Sequence, residues 1–379
     1  MNLFLLVFLL IYGAAHCWFV FRLMQAFPVL QTWWLFPVGW CLLMVAAPIL
    51  SRLLEREGQT FAASLAAYIG YSWMGLLFLF LSLSVFLELV RLLHWSVHFF
   101  LRLPDLGLLA PRPGFLCCFG LALLISCYGW FEAGKLKVEQ HRVITSKLPK
   151  GAARVRVVQI SDLHIGLIVG SQQVQQLVAT VKSLKPDLLV ATGDIVDGHI
   201  SHVDGVSQML RELQPPLGMV AVLGNHEYYA GLGSSRRFLE LSGFQLLQDQ
   251  TTLVGAYLAL VGVDDPAAKR FGRNGIADET GLLDGIPHDR FVLLLKHRPV
   301  VVQKNIGQFD LQLSGHVHKG QIFPFNLLTW LNFPVRAGMN QLAGGSRLYV
   351  SRGTGTWGPP IRFLAPPELT VIDLEPAQK

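Results

Sequence analysis

The distribution of charge along the chain constrains its fold more than any other feature. The 379 residues are 52% hydrophobic and only 15% charged, too apolar for one ordinary soluble domain. The apolar excess is concentrated in residues 1 to 133, which are almost free of charge, while the remainder has the composition of a normal globular protein. Two parts follow: a membrane region over 1–133 and a soluble region of roughly 230 residues, enough for one large single-core domain. All five cysteines (Cys17, Cys41, Cys117, Cys118 and Cys127) fall in the first part. The second part therefore has no disulfide framework, cysteine zinc site or thiol nucleophile, and in apolar helices these residues act as small hydrophobes.

Crossing a bilayer takes about 20 apolar residues. Stretches at 3–21, 33–50, 65–90 and 115–131 qualify, and Trp18, Trp33, Trp34, Trp95 and Trp130 stand toward their ends, as an aromatic belt places them. Pro37 and Pro48 interrupt the second stretch. A cleaved signal peptide accounts for the first stretch alone and not for the other three. With four spans, both termini share a side with the 51–64 loop, and that side holds Arg52, Arg56, Lys135, Lys137, Arg142, Lys147 and Lys150, against Arg22, Arg91, Arg102 and Arg112 opposite. This bias places the soluble region in the cytoplasm, on a multi-pass protein of the inner membrane. The spans lack the paired intramembrane charges of a transport path, and Glu88 reads as interfacial.

From Lys135 the pattern changes. Residues 134–151 form a linker and, by partial alternation, an edge strand. Apolar β-branched runs follow at 155–160, 188–191, 219–223, 258–261, 291–295 and 311–313, with helical stretches such as 172–184 and 235–241 between them. Strands alternating with helices predict an α/β domain over 152–379. The close spacing of the later strands favours a two-sheet β-sandwich flanked by helices over a single doubly wound sheet.

Polar clusters terminate five of these runs: Ser161-Asp162-Leu163-His164, Gly193-Asp194-Ile195-Val196-Asp197-Gly198, Gly224-Asn225-His226-Glu227, Lys296-His297-Arg298-Pro299, and Ser314-Gly315-His316-Val317-His318-Lys319-Gly320-Gln321. Each sits where open α/β folds place ligands, beyond the carboxyl end of a strand. Asp, Asn and His offer the oxygen and imidazole donors that suit manganese, iron and zinc, and no thiolate demands a soft metal. Seven such residues exceed the needs of one ion. Two ions bridged by one carboxylate would use them all.

These blocks, in this order, resemble the calcineurin-like metallophosphoesterases, whose signature runs D-x-H, G-D-x-x-D, G-N-H-E/D, H and G-H-x-H. The fifth block with Gly320-Gln321, and the later Ser351-Arg352-Gly353-Thr354-Gly355-Thr356-Trp357, are similar to the membrane-anchored bacterial branch and its transmembrane eukaryotic relatives. The resemblance implies two divalent ions, manganese first and iron or zinc as alternatives. Asp162, His164 and His318 would hold the first ion, and Asn225, His297 and His316 the second, with Asp194 bridging. It also implies that His226 acts as a general acid oriented by Asp197. Members of that branch include enzymes that hydrolyse the pyrophosphate of UDP-2,3-diacylglucosamine, so the implied partners are the lipid bilayer and a phosphate-containing, lipid-linked substrate.

Alternatives stand beside these roles. Asp197 and Glu227 also suit caps or turns. Arg298, Arg352 and Arg362 suit either phosphate contacts or structural ion pairs, and His199, His202 and Asp204 suit a solvated loop or a substrate contact. Some relatives are non-catalytic scaffolds, but this chain keeps every proposed ligand and His226, which favours an enzyme. A nuclease is disfavoured by the absence of a basic stripe interleaved with aromatics, so no nucleic-acid partner is expected.

Overall fold

A computed structural model of the chain describes residues 3–101, 107–198, 205–273 and 278–377. His199, His202 and Asp204 lie outside the described residues. The chain divides into two compact units, Met1–Glu132 with Gly358–Phe363, and Ala133–Trp357 with Leu364–Lys379.

The first unit is built on helices α1 (Leu3–Ala26), α2 (Leu35–Arg56), α3 (Thr60–Leu101) and α4 (Pro111–Ala133). All four are long and apolar enough to cross a membrane. Their outward side chains, such as Leu10, Phe36, Phe61, Phe86 and Leu124, are apolar and exposed, the reverse of a water-soluble bundle. Pro37 falls in the first turn of α2, where no intrahelical N–H is needed, and the helix continues past Pro48. Helix α3 overruns the expected 65–90 span. It has 42 residues, about 63 Å at 1.5 Å per residue and roughly twice a bilayer's hydrocarbon core, because no proline stops it between 60 and 101.

Several polar groups among these helices find partners. Trp73 Nε1 donates to His16 Nε2 at 2.9 Å, and Trp18 Nε1 donates to Ser84 Oγ at 2.9 Å. Arg22 on α1 lies 2.6 Å from Glu88 on α3, which also pairs with Arg91. Helix packing thus joins a charged pair from residues far apart in the chain, at the ends of the expected 3–21 and 65–90 spans. The segment Gly358–Phe363 belongs to this unit: Arg362 N donates to Gly129 O at 2.9 Å, and the Arg362 side chain is fully buried.

The second unit is a sandwich of two six-stranded sheets. In chain order its elements are β1 (Lys137–Thr145), β2 (Val155–Ile160), α5 (Ser171–Leu184), β3 (Leu188–Thr192), α6 (Val206–Arg211), β4 (Met219–Val222), α7 (Asn225–Leu241), β5 (Gln245–Leu246), β6 (Gln250–Val254), β7 (Leu258–Val263), α8 (Glu279–Asp284), β8 (Phe291–Lys296), β9 (Leu311–Ser314), α9 (Phe325–Asn332), β10 (Gly338–Gln341), β11 (Arg347–Val350) and β12 (Glu368–Pro376). The first sheet runs β1-β12-β2-β3-β4-β5 and the second β10-β11-β9-β8-β7-β6. Strands β2 to β5 are parallel, as are β7, β8, β9 and β11. Strand β1 is at an edge, as its alternation predicts.

Successive residues on a strand face opposite sides, and the core divides accordingly. Val157, Val190, Val220 and Ile372 of the first sheet meet Leu260, Leu293 and Leu313 of the second. Their neighbours Val158, Leu189, Ala221 and Val371 face outward and are covered by α5 and α7 through Val174, Leu177 and Leu239. Strands buried on both faces have no polar alternation, which explains the continuous apolar runs in the sequence.

Candidate metal centre

Each of the five polar blocks begins where a parallel strand ends. Strands β2, β3 and β4 of the first sheet lead into the blocks of Asp162, Asp194 and Asn225, and β8 and β9 of the second lead into those of His297 and His316. Backbone hydrogen bonds lock neighbouring loops together: Asp162 N to Gly193 O at 3.0 Å, His164 N to Asp194 O at 3.0 Å, and Gly315 N to His297 O at 2.9 Å. The loops turn sharply. Asp162, His164, Asp194, His316 and His318 all have positive φ, between 46° and 71°, a conformation costly for residues with a Cβ and concentrated at functional sites. Gly224 could carry no side chain, since a Cβ there would stand 2.2 Å from Asp194 Oδ1.

The structure brings all seven expected ligands into this region, and six of them form two groups. The ligand atoms of Asp162, His164 and His318 lie within 4.8 Å of one another, as do those of Asp194, His297 and His316. His164 Nε2 stands 3.1 Å from His318 Nε2, and His316 Nδ1 stands 3.1 Å from His297 Nε2. Asp194 Oδ2 reaches both groups, at 3.1 Å from His297 Nε2 and 4.0 Å from His164 Nε2. Asn225 is buried, and its Oδ1 has no hydrogen-bond partner. Leaving such an atom unmatched costs about 1–3 kcal/mol, so an amide oxygen held bare beside two histidine–carboxylate groups fits a cation. The donor set fits two divalent ions.

Electrostatics divide the imidazoles: burial opposes charge on His297, but Asp194 raises it to about 10, so an ion there would have to displace that proton, while His164 and His316 move the other way. Burial and the neighbouring His226 push His164 down to about 3, and burial with His297 pushes His316 down to about 3. Both imidazoles are therefore neutral, the form that binds metal. Burial raises the Asp162 carboxyl. Against the same effect, His297 and His226 hold Asp194 well below the usual carboxylate range.

His226 is different. Burial opposes its charge, but Asp194 and a hydrogen bond to Asp197 raise it to about 9. Its Nδ1 lies 3.1 Å from Asp197 Oδ1, while its backbone N donates to Asp194 Oδ1 at 2.8 Å. A third group of ligand atoms, from His164, Asp194 and His226, is compact enough for an ion; neighbouring carboxylates raise His226 to about 9 and His297 to about 10 alike, and what sets His226 apart is the Asp197 carboxylate on its Nδ1.

Glu227 has a larger role than sequence alone indicates. It caps α7 through Gly224 N at 2.7 Å, and the same carboxylate accepts from Asp194 N at 2.9 Å, Ile195 N at 2.6 Å and Val196 N at 3.2 Å. It is fully buried, and burial together with Asp194 raises it to about 7. Its position after Gly-Asn-His signals the cap, but nothing local signals its hold on the Asp194 loop. Two of the arginines are engaged in ion pairs: Arg298 donates to Asp265 at 2.7 and 3.2 Å, and Arg352 pairs with Glu139 at 2.6 Å and Glu368 at 2.9 Å. An aromatic rim borders the site. Tyr229 and Trp357 lie with ring centroids 5.6 and 5.8 Å from His226, Phe271 stands beside Tyr229, and all three are exposed.

Residues 155–320 match the sequence model of the family described as Calcineurin-like phosphoesterase. The chain is 40% identical over 257 residues to an uncharacterized metallophosphoesterase of Aquifex aeolicus, covering 67% of this chain and 98% of that protein. It is 32% identical to a transmembrane protein with metallophosphoesterase domain from Danio rerio, over 68% of this chain and 62% of the relative. It is also 32% identical to the uncharacterized metallophosphoesterase YkuE of Bacillus subtilis, over 65% of this chain and 88% of that one.

Proposed function

Since the chain belongs to the calcineurin-like metallophosphoesterase family and is thereby a metal-dependent phosphoester hydrolase, we propose that it cleaves a phosphodiester or pyrophosphate bond of a lipid-linked substrate at the membrane surface. The observation that carries this reading is the pair of histidine–carboxylate groups joined through Asp194, with the His226–Asp197 pair beside them. Asp162, His164 and His318 would hold one ion and Asn225, His297 and His316 the other, and Asp194 would serve both. When bound, the ions supply Lewis-acid stabilisation of phosphoryl charge and a more acidic water.

The remaining chemistry belongs to the side chains. Asp197 accepts the Nδ1 proton of His226 and so fixes the ring with Nε2 toward the site. The charged ring donates its Nε2 proton to the leaving oxygen. Glu227 holds the Asp194 loop in its strained turn through three backbone N–H groups, and a fourth anchors it to α7. The aromatic rim of Tyr229, Phe271 and Trp357 supports a substrate with an apolar portion. Helices α1 to α4 anchor the 152–379 domain to the inner membrane on its cytoplasmic side, with the 134–151 linker between, where an acylated substrate lies at high effective concentration.

The test uses the full chain in detergent, stripped of metal and reloaded with Mn²⁺, Fe²⁺ or Zn²⁺. UDP-2,3-diacylglucosamine is compared with soluble nucleotides and nitrophenyl phosphates. Metal-restored cleavage of the lipid nucleotide, with slow turnover of the soluble esters, is expected. An inert lipid nucleotide beside a rapidly cleaved soluble one overturns the lipid assignment. No turnover of any phosphoester leaves the chain as a metal-binding scaffold.

A further inference from the structure

Helix α9 is amphipathic in the inverted sense. Along Phe325–Asn332 no residue is buried. The half-buried positions are the polar Asn326 and Thr329, and the Asn326 backbone carbonyl accepts from Thr329 Oγ1 at 3.1 Å within the helix and from Arg336 Nη1 at 3.0 Å. The outward positions are Leu327, Leu328, Trp330 and Leu331, all more than half exposed, with Leu331 at 72%. A helix that serves only its own domain turns its apolar stripe inward, whereas a contiguous outward apolar face marks a surface that is covered in use.

The occupant follows from the rest of the chain. Four helices long and apolar enough to span a membrane precede this unit, and three residues separate α4 from β1, so a bilayer is the one apolar phase this face is tethered to. A short helix with leucines and a tryptophan outward and a basic residue at its flank (here Arg336) is suited to the boundary between headgroups and acyl chains.

The helix is also fastened to the candidate metal centre. Its first turn packs so closely on Gly320, two residues beyond His318, that a Cβ there would stand 2.5 Å from Asn326 Cα. At its far end the Phe333 ring meets the His316 ring edge-on at 5.4 Å. We propose that α9 is an interfacial membrane helix that seats the candidate centre at the lipid boundary, so that the phosphoester of a membrane lipid enters the site without its acyl chains leaving the bilayer. This rests on the lipid-linked reading and adds to it the element that meets the lipid.

The test places the full chain in nanodiscs containing phosphatidylcholine with a diazirine in mid acyl chain. After irradiation, the tryptic peptide 320–336 is expected to carry lipid adducts, as are the peptides of the spans. The Leu328→Asp, Leu331→Asp double variant should lose about tenfold of the α9 adducts and keep those of the spans, since the charges oppose insertion. Slow, metal-dependent cleavage of bis(p-nitrophenyl) phosphate, measured in parallel, reports on the hydrolase itself, so the two readings can fail separately. Adducts confined to the spans overturn the proposal, as do cross-links carrying α9 to a second copy of the chain.

Discussion

The two sheets contribute unequally to the candidate centre. The loops after β8 and β9 bring only imidazoles (His297, His316 and His318), and His316 is held neutral by burial and His297. The loops after β2, β3 and β4 bring both carboxylates, the amide of Asn225 and the His226–Asp197 pair, with Glu227 cradling the turn beneath. Neither sheet alone holds a complete site. On the proposed roles the second sheet would only bind, whereas the first would both bind and move a proton. Changes on the second sheet should therefore remove metal and activity together, and changes on the first should be able to separate them.

The largest expected effect comes from the residue proposed to serve both ions. Asp194→Asn should lower occupancy at both sites and reduce turnover by about 10³-fold or more, because the Lewis-acid contribution amounts to several kcal/mol. Elemental analysis showing one ion per chain, unchanged by the substitution, would rule out a shared carboxylate. On the second sheet, His316→Ala should lose one ion and leave Asp162, His164 and His318 loaded, with activity falling in step with metal content.

His226→Ala separates the two sheets most clearly. Both ions and substrate binding should persist while kcat falls by roughly 10²-fold. The deficit should shrink with leaving groups that need no proton. Loss of a metal from this variant would instead make His226 a ligand. The smallest effect is expected at Asp197→Asn, a loss within about tenfold. Asp197 helps raise His226 to about 9. A general acid works while protonated, and removing the carboxylate charge lowers its pKa. The alkaline limb of the pH–rate profile should thus move to lower pH, and an unmoved limb would detach Asp197 from the acid.

Much of the centre was legible in the sequence because its chemistry is local. Each ligand stands in a contiguous block at the end of an apolar run, and Asp162 to His164 or His316 to His318 are neighbours before any folding. Features that depend on distant packing were not legible. Glu227 looks like a cap until the Asp194 loop lies against it, and Arg22 and Glu88 meet only when α1 and α3 pack. Strands β5, β6, β10 and β11 were not read as strands, and β12 was missed for a related reason. Seven of the nine residues of β12 are buried, Asp373 among them, and its partners β1 and β2 lie far back in the chain. Arg298 and Arg352 stayed undecided in the sequence because their carboxylate partners come from distant segments, so phosphate binding and ion pairing look alike in one dimension.

The place of β12 bears on how the protein is made. It lies between β1 and β2, so these two strands, the first to leave the ribosome after the last apolar helix, have no contact with each other in the finished sheet. Strand β1 has no other neighbour in that sheet. Until the final strand is synthesised, β1 waits as an unpaired ribbon and the edge of β2 stays open. Such an open edge invites pairing with other chains. Vectorial synthesis can therefore build the helices and the parallel strands in turn, but the first sheet closes only after translation has passed β12. A ribosome stalled before that point holds a nascent chain with its adhesive edge exposed.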